Sequence, residues 1–126
     1  MKGKGTKFDN NKPKISLMPQ SVIFEVSKVF THGAKKYGKY NWKKGISQTR
    51  LLDAAMRHIL WYLLGEDNDK EWGCNHLAHA IASLSMALDQ HYFNPAEDDR
   101  YKLDKDLLDK WSGYIYERTD HGESED

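Results

Sequence analysis

Long hydrophobic runs and cysteines are scarce in this 126-residue chain. The longest apolar stretch, residues 59–64, is far shorter than the roughly 20 residues that a membrane-spanning helix needs. No apolar signal core follows the basic residues at the start. We therefore expect neither membrane insertion nor secretion. Because Cys74 is the only cysteine, no internal disulfide can form, and we expect a cytoplasmic protein.

Strand patterns and internal repeats are also missing, so we expect no sheet. Apolar residues recur instead at helical spacing in four segments, at about 20–37, 50–64, 75–92 and 104–116. The fold class predicted is all-α, a small bundle of three main helices plus a C-terminal helix. Gly38 is predicted to end the first helix and Thr49 to cap the second. The predicted core stripe of the third helix is Leu77, Ala80, Ile81, Leu84 and Leu88.

Composition divides the single small domain into three parts. Residues 1–14 contain five lysines and are predicted to be a flexible basic arm. Residues 15–93 are predicted to be the main helical domain, which the family resemblance described below implies is the catalytic one. Residues 94–126 are predicted to be a charged extension with one helix and an acidic tail without fixed structure after residue 118. The wide apolar helix faces predict a homodimer or homotetramer.

The net charge of zero hides two halves of opposite sign. Residues 1–58 carry 13 Lys and Arg against 3 Asp and Glu, whereas residues 59–126 carry 6 against 16. A basic surface beside an acidic one suits a polyanion with a divalent cation, such as a nucleoside triphosphate. The plainer interpretation is that the two halves pair with each other, within the fold or between subunits.

Histidines and carboxylates are concentrated around the predicted turn between the second and third helices. If these helices pack antiparallel, the turn lies beside the start of the third helix, and one cluster can form. Its members are Arg57, His58, Glu66, Asp69, His76 and His79. Hydrogen-bonded histidines at the edge of the core are the plainer alternative. Charged groups at this density otherwise attract a divalent cation that activates water.

Glu66 and Asp69 are the expected ligands for magnesium, because imidazole is a poor ligand for that ion. The histidines are then expected to orient the site or carry protons. Metal binding by the histidines themselves would indicate a transition metal.

Five lysines surround four aromatic or amide residues between positions 35 and 44. These residues are Lys35, Lys36, Tyr37, Lys39, Tyr40, Asn41, Trp42, Lys43 and Lys44. Ammonium groups suit phosphates and a flat indole suits a base, so the pattern predicts nucleotide binding. Single-stranded nucleic acid uses the same chemistry, but the acidic second half argues against a long nucleic acid. A solvated loop whose Trp42 packs on the core is the simpler alternative.

Four short runs resemble one family: KFDNNKP at 7–13, GAKKYGKYNW at 33–42, RHILWYLLGED at 57–67 and HLAHA at 76–80. They are similar to phage and bacterial dATP/dGTP diphosphohydrolases, a group placed among the MazG-like nucleoside triphosphate pyrophosphohydrolases. The resemblance implies an all-α homo-oligomer that uses Mg²⁺ or Mn²⁺ to cleave a purine deoxynucleoside triphosphate into the monophosphate and pyrophosphate. MazG-like enzymes carry paired glutamates and an ExxD motif, whereas this chain has DxxxRH at 53–58 and HxxH at 76–79.

The residues and the resemblance together predict a site. The predicted substrate-binding residues are Lys35, Lys36, Asn41, Trp42, Lys43 and Arg57. The predicted catalytic residues are His58, Glu66, Asp69, His76 and His79, and the predicted metal ligands are Glu66, Asp69 and His76. Two alternatives stay open: a histidine-rich metal phosphohydrolase that cleaves another bond, and a module that binds a small nucleotide without turnover.

Overall fold

The structure is a computed structural model that describes residues 3–120, and within that range it is helical and contains no strand. The α-helices are α1 Gln20–Tyr37, α2 Gln48–Leu63, α3 His76–Phe93 and α4 Lys105–Asp120. Short 3-10 turns occupy Ile15–Leu17, Asn41–Lys44 and Pro95–Glu97. The predicted all-α class is confirmed. None of the helices described is long and apolar enough to cross a membrane.

Local signals fix most helix ends. Helix α1 ends at Tyr37 as predicted, because Gly38 adopts a φ of 97° and donates its N–H to the Ala34 carbonyl at 2.9 Å. Helix α3 begins where Asn75 caps it, with the Asn75 side chain accepting a bond from the Leu77 N–H at 2.8 Å.

Thr49 is not the cap of α2, which begins at Gln48, two residues before the predicted start, with Ser47 in the capping position. The Thr49 N–H and hydroxyl instead donate to the carboxylate of Asp99, at 2.9 and 2.6 Å. A carboxylate 50 residues away along the chain therefore satisfies the start of α2.

The predictions at the two ends are only partly covered by the structure. Residues 3–14 are exposed and form no helix. Helix α4 extends beyond the predicted 104–116 and includes two residues of the predicted tail. The rest of that tail, residues 121–126, lies outside the described residues.

Helix α3 is the centre of the packing. It lies against α2 along most of its length and against α1 over a smaller area, and no comparable packing joins α1 to α2 or α4 to the other helices within residues 3–120. The side chain of Gln48 at the start of α2 donates to the Ala87 carbonyl near the end of α3 at 2.9 Å, so the two helices are antiparallel. The space between α1 and α2 is left open.

The buried face of α3 is not the predicted leucine stripe. Leu77, Ile81, Leu84 and Leu88 are between 36% and 62% exposed. The buried residues of α3 are His76, Ala78, His79, Ala80, Ala82, Ser83, Ala87 and Gln90. Alanine side chains let α1 and α2 approach α3 closely, so this face forms the interior although it is less hydrophobic than the opposite one.

Gln90, which is 2% exposed, holds the loop at 38–47. Its side-chain carbonyl accepts from the Ile46 N–H at 2.7 Å, and its amide donates to the Ile46 carbonyl at 2.6 Å. Glu97 packs so closely on Gly45 that a Cβ there would lie 2.8 Å from a carboxylate oxygen. Residues just beyond the predicted boundary at 94 therefore brace this loop.

The turn between α2 and α3 is organised by Asp69. Its Oδ2 accepts from the N–H groups of Glu71 and Trp72 at 2.9 and 2.7 Å, and its Oδ1 accepts from that of Cys74 at 2.8 Å. Burial opposes the charge of Asp69, but the bonds from Trp72, His79 and Cys74 outweigh it and lower the pKa of Asp69 from 3.8 to about 2. One carboxylate thus satisfies three backbone donors of the turn.

We expect Asp69→Asn to lower the free energy of unfolding at pH 7 by about 2 kcal/mol, because an amide offers one accepting oxygen where the carboxylate offers two. The pKa of Asp69 is lower in the folded state than in the unfolded state. Its carboxylate therefore stabilises the folded state fully at pH values above the unfolded pKa near 4, and this stabilisation is lost as the pH falls towards 2. Wild-type stability should therefore fall over that range more steeply than variant stability.

Urea unfolding at pH 7, 4 and 3 measures both effects. The control is Asp67→Asn, because Asp67 is an exposed acid in the same turn, and its unfolding free energy should stay within about 0.5 kcal/mol of wild type. Equal stability of Asp69→Asn and wild type at pH 7 would contradict the role of this carboxylate.

Candidate active site

The antiparallel pairing of α2 and α3 brings three histidines together. His58 Nδ1 lies 2.8 Å from His76 Nδ1, and the His58 ring stacks on the His79 ring with centroids 4.3 Å apart. His76 and His79 are buried, with exposures of 2% and 8%, and His58 is half-buried. The predicted histidine cluster therefore exists, and it lies inside the helix pair more than at its edge.

Two carboxylates of the turn, Glu66 and Asp69, each bind a different histidine. Glu66 Oε1 lies 2.7 Å from His76 Nε2, and Asp69 Oδ1 lies 2.9 Å from His79 Nε2. These bonds fix the orientation of both imidazoles. They also separate Glu66 from Asp69, which were predicted to share one ion.

The hydrogen bonds favour one arrangement of protons. A Glu66 carboxylate can only accept, so His76 donates from Nε2, and in the matching tautomer His76 Nδ1 accepts from His58 Nδ1. The lone pair of His58 is left on Nε2. Burial, followed by the repulsion of charge on His79 and His76, lowers the pKa of His58 from 6.5 to about 4. His58 is therefore neutral at pH 7 and presents a nitrogen that can accept a proton.

One group of side chains could hold a metal ion. Ligand atoms of Asp69, Cys74 and His79 all lie within 4.8 Å of one another. The predicted ligands Glu66, Asp69 and His76 are not brought to one point, because Glu66 turns towards His76 while Asp69 faces the turn and His79. Magnesium prefers several oxygen ligands, and this group offers a single carboxylate, so the donor set does not fit that ion.

Cys74 is the member that the sequence interpretation missed, since a single cysteine was weighed only as a disulfide partner. Its thiol is buried against Val26, Val29, Ala78 and Ala82. Burial and the charge of Asp69 raise the pKa of this thiol, so it is protonated at neutral pH.

A cleft of about 1070 Å³ opens between α1 and α2, with the loop at 38–47 along one side and α3 as its floor. This volume suits a small-molecule ligand. Its charged lining residues are Lys39, Arg50, Asp53 and Arg57, and its aromatic lining residues are Phe30, Tyr37, Tyr40, Trp42 and Trp72. Among the histidines of the cluster, His79 lines this cleft, and His58 lies one ring behind it.

Three of the predicted substrate-binding residues, Asn41, Trp42 and Arg57, line the cleft. Lys35, Lys36 and Lys43 do not. Lys35 and Lys36 lie in the last turn of α1. The Lys36 ammonium is held by the Glu71 carboxylate at 3.1 Å.

The loop lysine Lys43 is drawn to its aromatic neighbours. Its ammonium lies over the rings of Tyr40 and Trp42, 5.2 and 5.4 Å from their centroids. It borders a smaller cavity near Asn94 and not the main cleft. The aromatic and amide groups of the loop pattern therefore line the cleft, and among the lysines of that pattern only Lys39 does. Nucleotide binding by these residues stays a prediction.

Arg50, Asp53 and Ser83 line the cleft and were not predicted as site residues. Arg50, Asp53 and Arg57 follow one another at intervals of three and then four residues. This spacing places all three on one face of α2. That spacing was a readable signal. Ser83 shares a helix stripe with His76 and His79, and it forms part of the cleft floor.

Comparison with known proteins agrees with the motifs. Residues 2–100 match the family model described as dATP/dGTP diphosphohydrolase, N-terminal. The chain is 40% identical over 96 residues to a dATP/dGTP diphosphohydrolase of Salmonella phage PMBT28, and this match covers 76% of the chain but only 33% of that protein. The chain thus spans about a third of its relative's length. No solved structure matches it. The two sequence matches show that the chain belongs to the dATP/dGTP diphosphohydrolase family, in the region that the N-terminal model describes.

Proposed function

We propose that this chain hydrolyses a purine deoxynucleoside triphosphate, dGTP or dATP, to the monophosphate and pyrophosphate. The observation that carries the proposal is the hydrogen-bonded series of Glu66, His76 and His58 next to a cleft with basic and aromatic walls. The phage relative, a dATP/dGTP diphosphohydrolase by name, supports the same substrates. We assign the activity to residues 15–93, braced by the segment that follows, and expect it in the bacterial or phage-infected cytoplasm.

In the proposed complex, the base stacks on the indole of Trp42 and its edge bonds to the amide of Asn41. The phosphates extend along α2, where Arg57 and Arg50 offer planar donors that match phosphate oxygens. Lys35, outside the cleft, contributes only to the positive potential that attracts the nucleotide. This arrangement brings the α-phosphate to the wall formed by His79.

His58, one ring behind His79, then acts as the general base through a bridging water. Water attacks the α-phosphorus and gives a proton to His58 Nε2, while the bond from that phosphorus to the bridging oxygen breaks and pyrophosphate leaves. Burial opposes the resulting positive charge, and the Glu66 carboxylate, one imidazole away through His76, offsets part of this opposition. Asp69 holds His79 in place on the cleft wall.

We propose that turnover depends on Mg²⁺ or Mn²⁺ and that the ion arrives bound to the phosphates of the substrate. The lack of a fitting oxygen donor set among Glu66, Asp69 and His76 supports this route over a resident magnesium ion. We also propose a MazG-like type of fold, which the antiparallel pair of α2 and α3 with inward-facing carboxylates and imidazoles supports.

The products of hydrolysis test the function. We expect dGTP or dATP with Mg²⁺ to yield the monophosphate and pyrophosphate, separated by anion-exchange chromatography. Glu66→Gln should lower kcat by roughly 100-fold or more, because the imidazolium loses its partner charge, while nucleotide binding measured by calorimetry is retained.

Other outcomes separate the alternatives. Nucleoside plus tripolyphosphate would indicate the histidine-rich phosphohydrolase of other bond specificity. Nucleotide binding without turnover in any divalent metal, and unchanged by Glu66→Gln, would indicate a module that only binds.

Arg57 and Lys35 form a matched pair for testing the cleft. Arg57→Ala should lower kcat/KM for dGTP by roughly 10- to 100-fold, since a charged hydrogen bond to phosphate contributes about 1.5–3 kcal/mol. Lys35→Ala should change it by less than about 2-fold at physiological salt, where exposed charges are screened. Equal losses in both variants would mean that the phosphates lie outside the cleft.

We further propose that the chain assembles as a homodimer or homotetramer through the leucine stripe of α3. The exposure of Leu77, Ile81, Leu84 and Leu88 at helical spacing supports this, because such a stripe in water is unfavourable and suits a symmetric helix contact.

The assembly proposal predicts that Leu84→Glu converts the oligomer to a species of the chain mass, 14.7 kDa, in light scattering coupled to gel filtration. Tyr101→Glu is the control, because Tyr101 is 89% exposed and outside the stripe, and it should leave the mass unchanged. A monomeric wild-type protein would contradict the proposal.

A further inference from the structure

The turn and the first part of α3 hold a carboxylate, a thiol and an imidazole that share one small volume. Ligand atoms of Asp69, Cys74 and His79 lie within 4.8 Å of one another. We propose that these three side chains bind one Zn²⁺ ion. The proposal goes beyond the proposed hydrolysis and does not require it.

The donor set selects the class of metal. A thiolate and an imidazole are ligands that zinc prefers, and magnesium and calcium do not bind thiolates well. Three protein ligands of mixed type, with one position left for water or a substrate oxygen, are typical of catalytic zinc sites. Glu66 is not required, because it already holds His76 at 2.7 Å.

The turn is organised before any ion binds. The Asp69 N–H donates to the Cys74 carbonyl at 2.9 Å, and the Cys74 N–H donates back to the Asp69 carboxylate at 2.8 Å. His79, one helical turn into α3, already lies 2.9 Å from the same carboxylate. All three ligands are therefore held on rigid backbone, so little conformational entropy is lost on binding.

Binding exchanges protons for the ion. Zn²⁺ replaces the proton that His79 Nε2 shares with Asp69 and the proton of the Cys74 thiol, and both protons pass to solvent. Ligand atoms around tetrahedral zinc lie about 3.3–3.8 Å apart, so the outermost pair must close by no more than about 1.5 Å.

The ion would lie at the junction of the cleft and the histidine cluster. His79 lines the cleft, and its ring stacks on His58 at 4.3 Å. The fourth coordination position is then available beside the group that we propose as the base. A core position alone explains a buried thiol, and the turn explains the carboxylate, so the proposal rests on the convergence of thiol, carboxylate and imidazole atoms in one volume.

Cobalt substitution tests the site without any assay of activity. Metal-free, reduced protein is titrated with Co²⁺, and we expect one equivalent to produce strong visible bands of four-coordinate cobalt and a near-ultraviolet band for charge transfer from sulfur. Zn²⁺ should remove both bands stoichiometrically, and Mg²⁺ should not.

The matched variants are Cys74→Ser and Glu66→Gln. Cys74→Ser should lose the sulfur band and bind Zn²⁺ at least roughly tenfold more weakly, with circular dichroism confirming that it is folded. Glu66→Gln should keep the band. The absence of a sulfur band in wild-type protein overturns the proposal whatever the variants do, and so does an unchanged band in Cys74→Ser or its loss in Glu66→Gln. Hydrolysis of dGTP by a protein without the band would leave the proposed function standing and remove only the zinc site.

Discussion

The negative charge of Asp69 is the interaction on which the rest of the site depends. It accepts N–H bonds from Glu71, Trp72 and Cys74 and a further bond from His79, so one carboxylate closes the turn and orients the imidazole on the cleft wall. Because the same atoms serve backbone and imidazole, the shape of the turn and the geometry of the site cannot vary independently.

A second constraint is the small size of the side chains on the buried face of α3. Ala78, Ala82 and Ala87 let helices on both sides come close, and polar groups such as Gln90 fill the remaining positions with satisfied hydrogen bonds. None of the buried side-chain nitrogen and oxygen atoms in the described part lacks a partner. The interior is therefore held together by close backbone approach and polar pairing more than by large apolar side chains.

Structural features that depend on residues close together in the sequence could be predicted. Features that depend on contacts between residues far apart in the sequence could not. Gly38 and Asn75 mark helix ends by their own chemistry, and the antiparallel turn followed from short spacing. Asp99, which satisfies the start of α2, is remote in sequence, and so Thr49 was wrongly taken as the cap. The α3 core stripe was correct at Ala80 and wrong at its four large residues, because the helix has two apolar faces and hydrophobicity favours the leucine face.

The candidate site was partly predictable for the same reason. Residue type and local spacing indicated the histidines and carboxylates, and the structure brings them together. Their pairing could not be predicted, because spacing does not say whether Glu66 faces Asp69 or His76. Lys35 and Lys36 do not line the cleft. This could not be predicted, because the cleft exists only once the helices have packed, and the sequence does not say which face of α1 borders it.

The floor of the cleft consists largely of Ala82, Ser83 and Met86, while α1 and α2 form walls that do not pack against each other. The depth of the cleft is thus set by Ala82 and Ser83, two of the smallest side chains in the protein. One end of the same helix carries the imidazoles, and the other carries Gln90, which holds the loop at 38–47. A substitution that adds a few atoms at these two positions changes which ring systems can enter the cleft. It leaves the histidines at one end of α3 and Gln90 at the other end unchanged. Ligand choice and chemistry can consequently diverge separately among related chains.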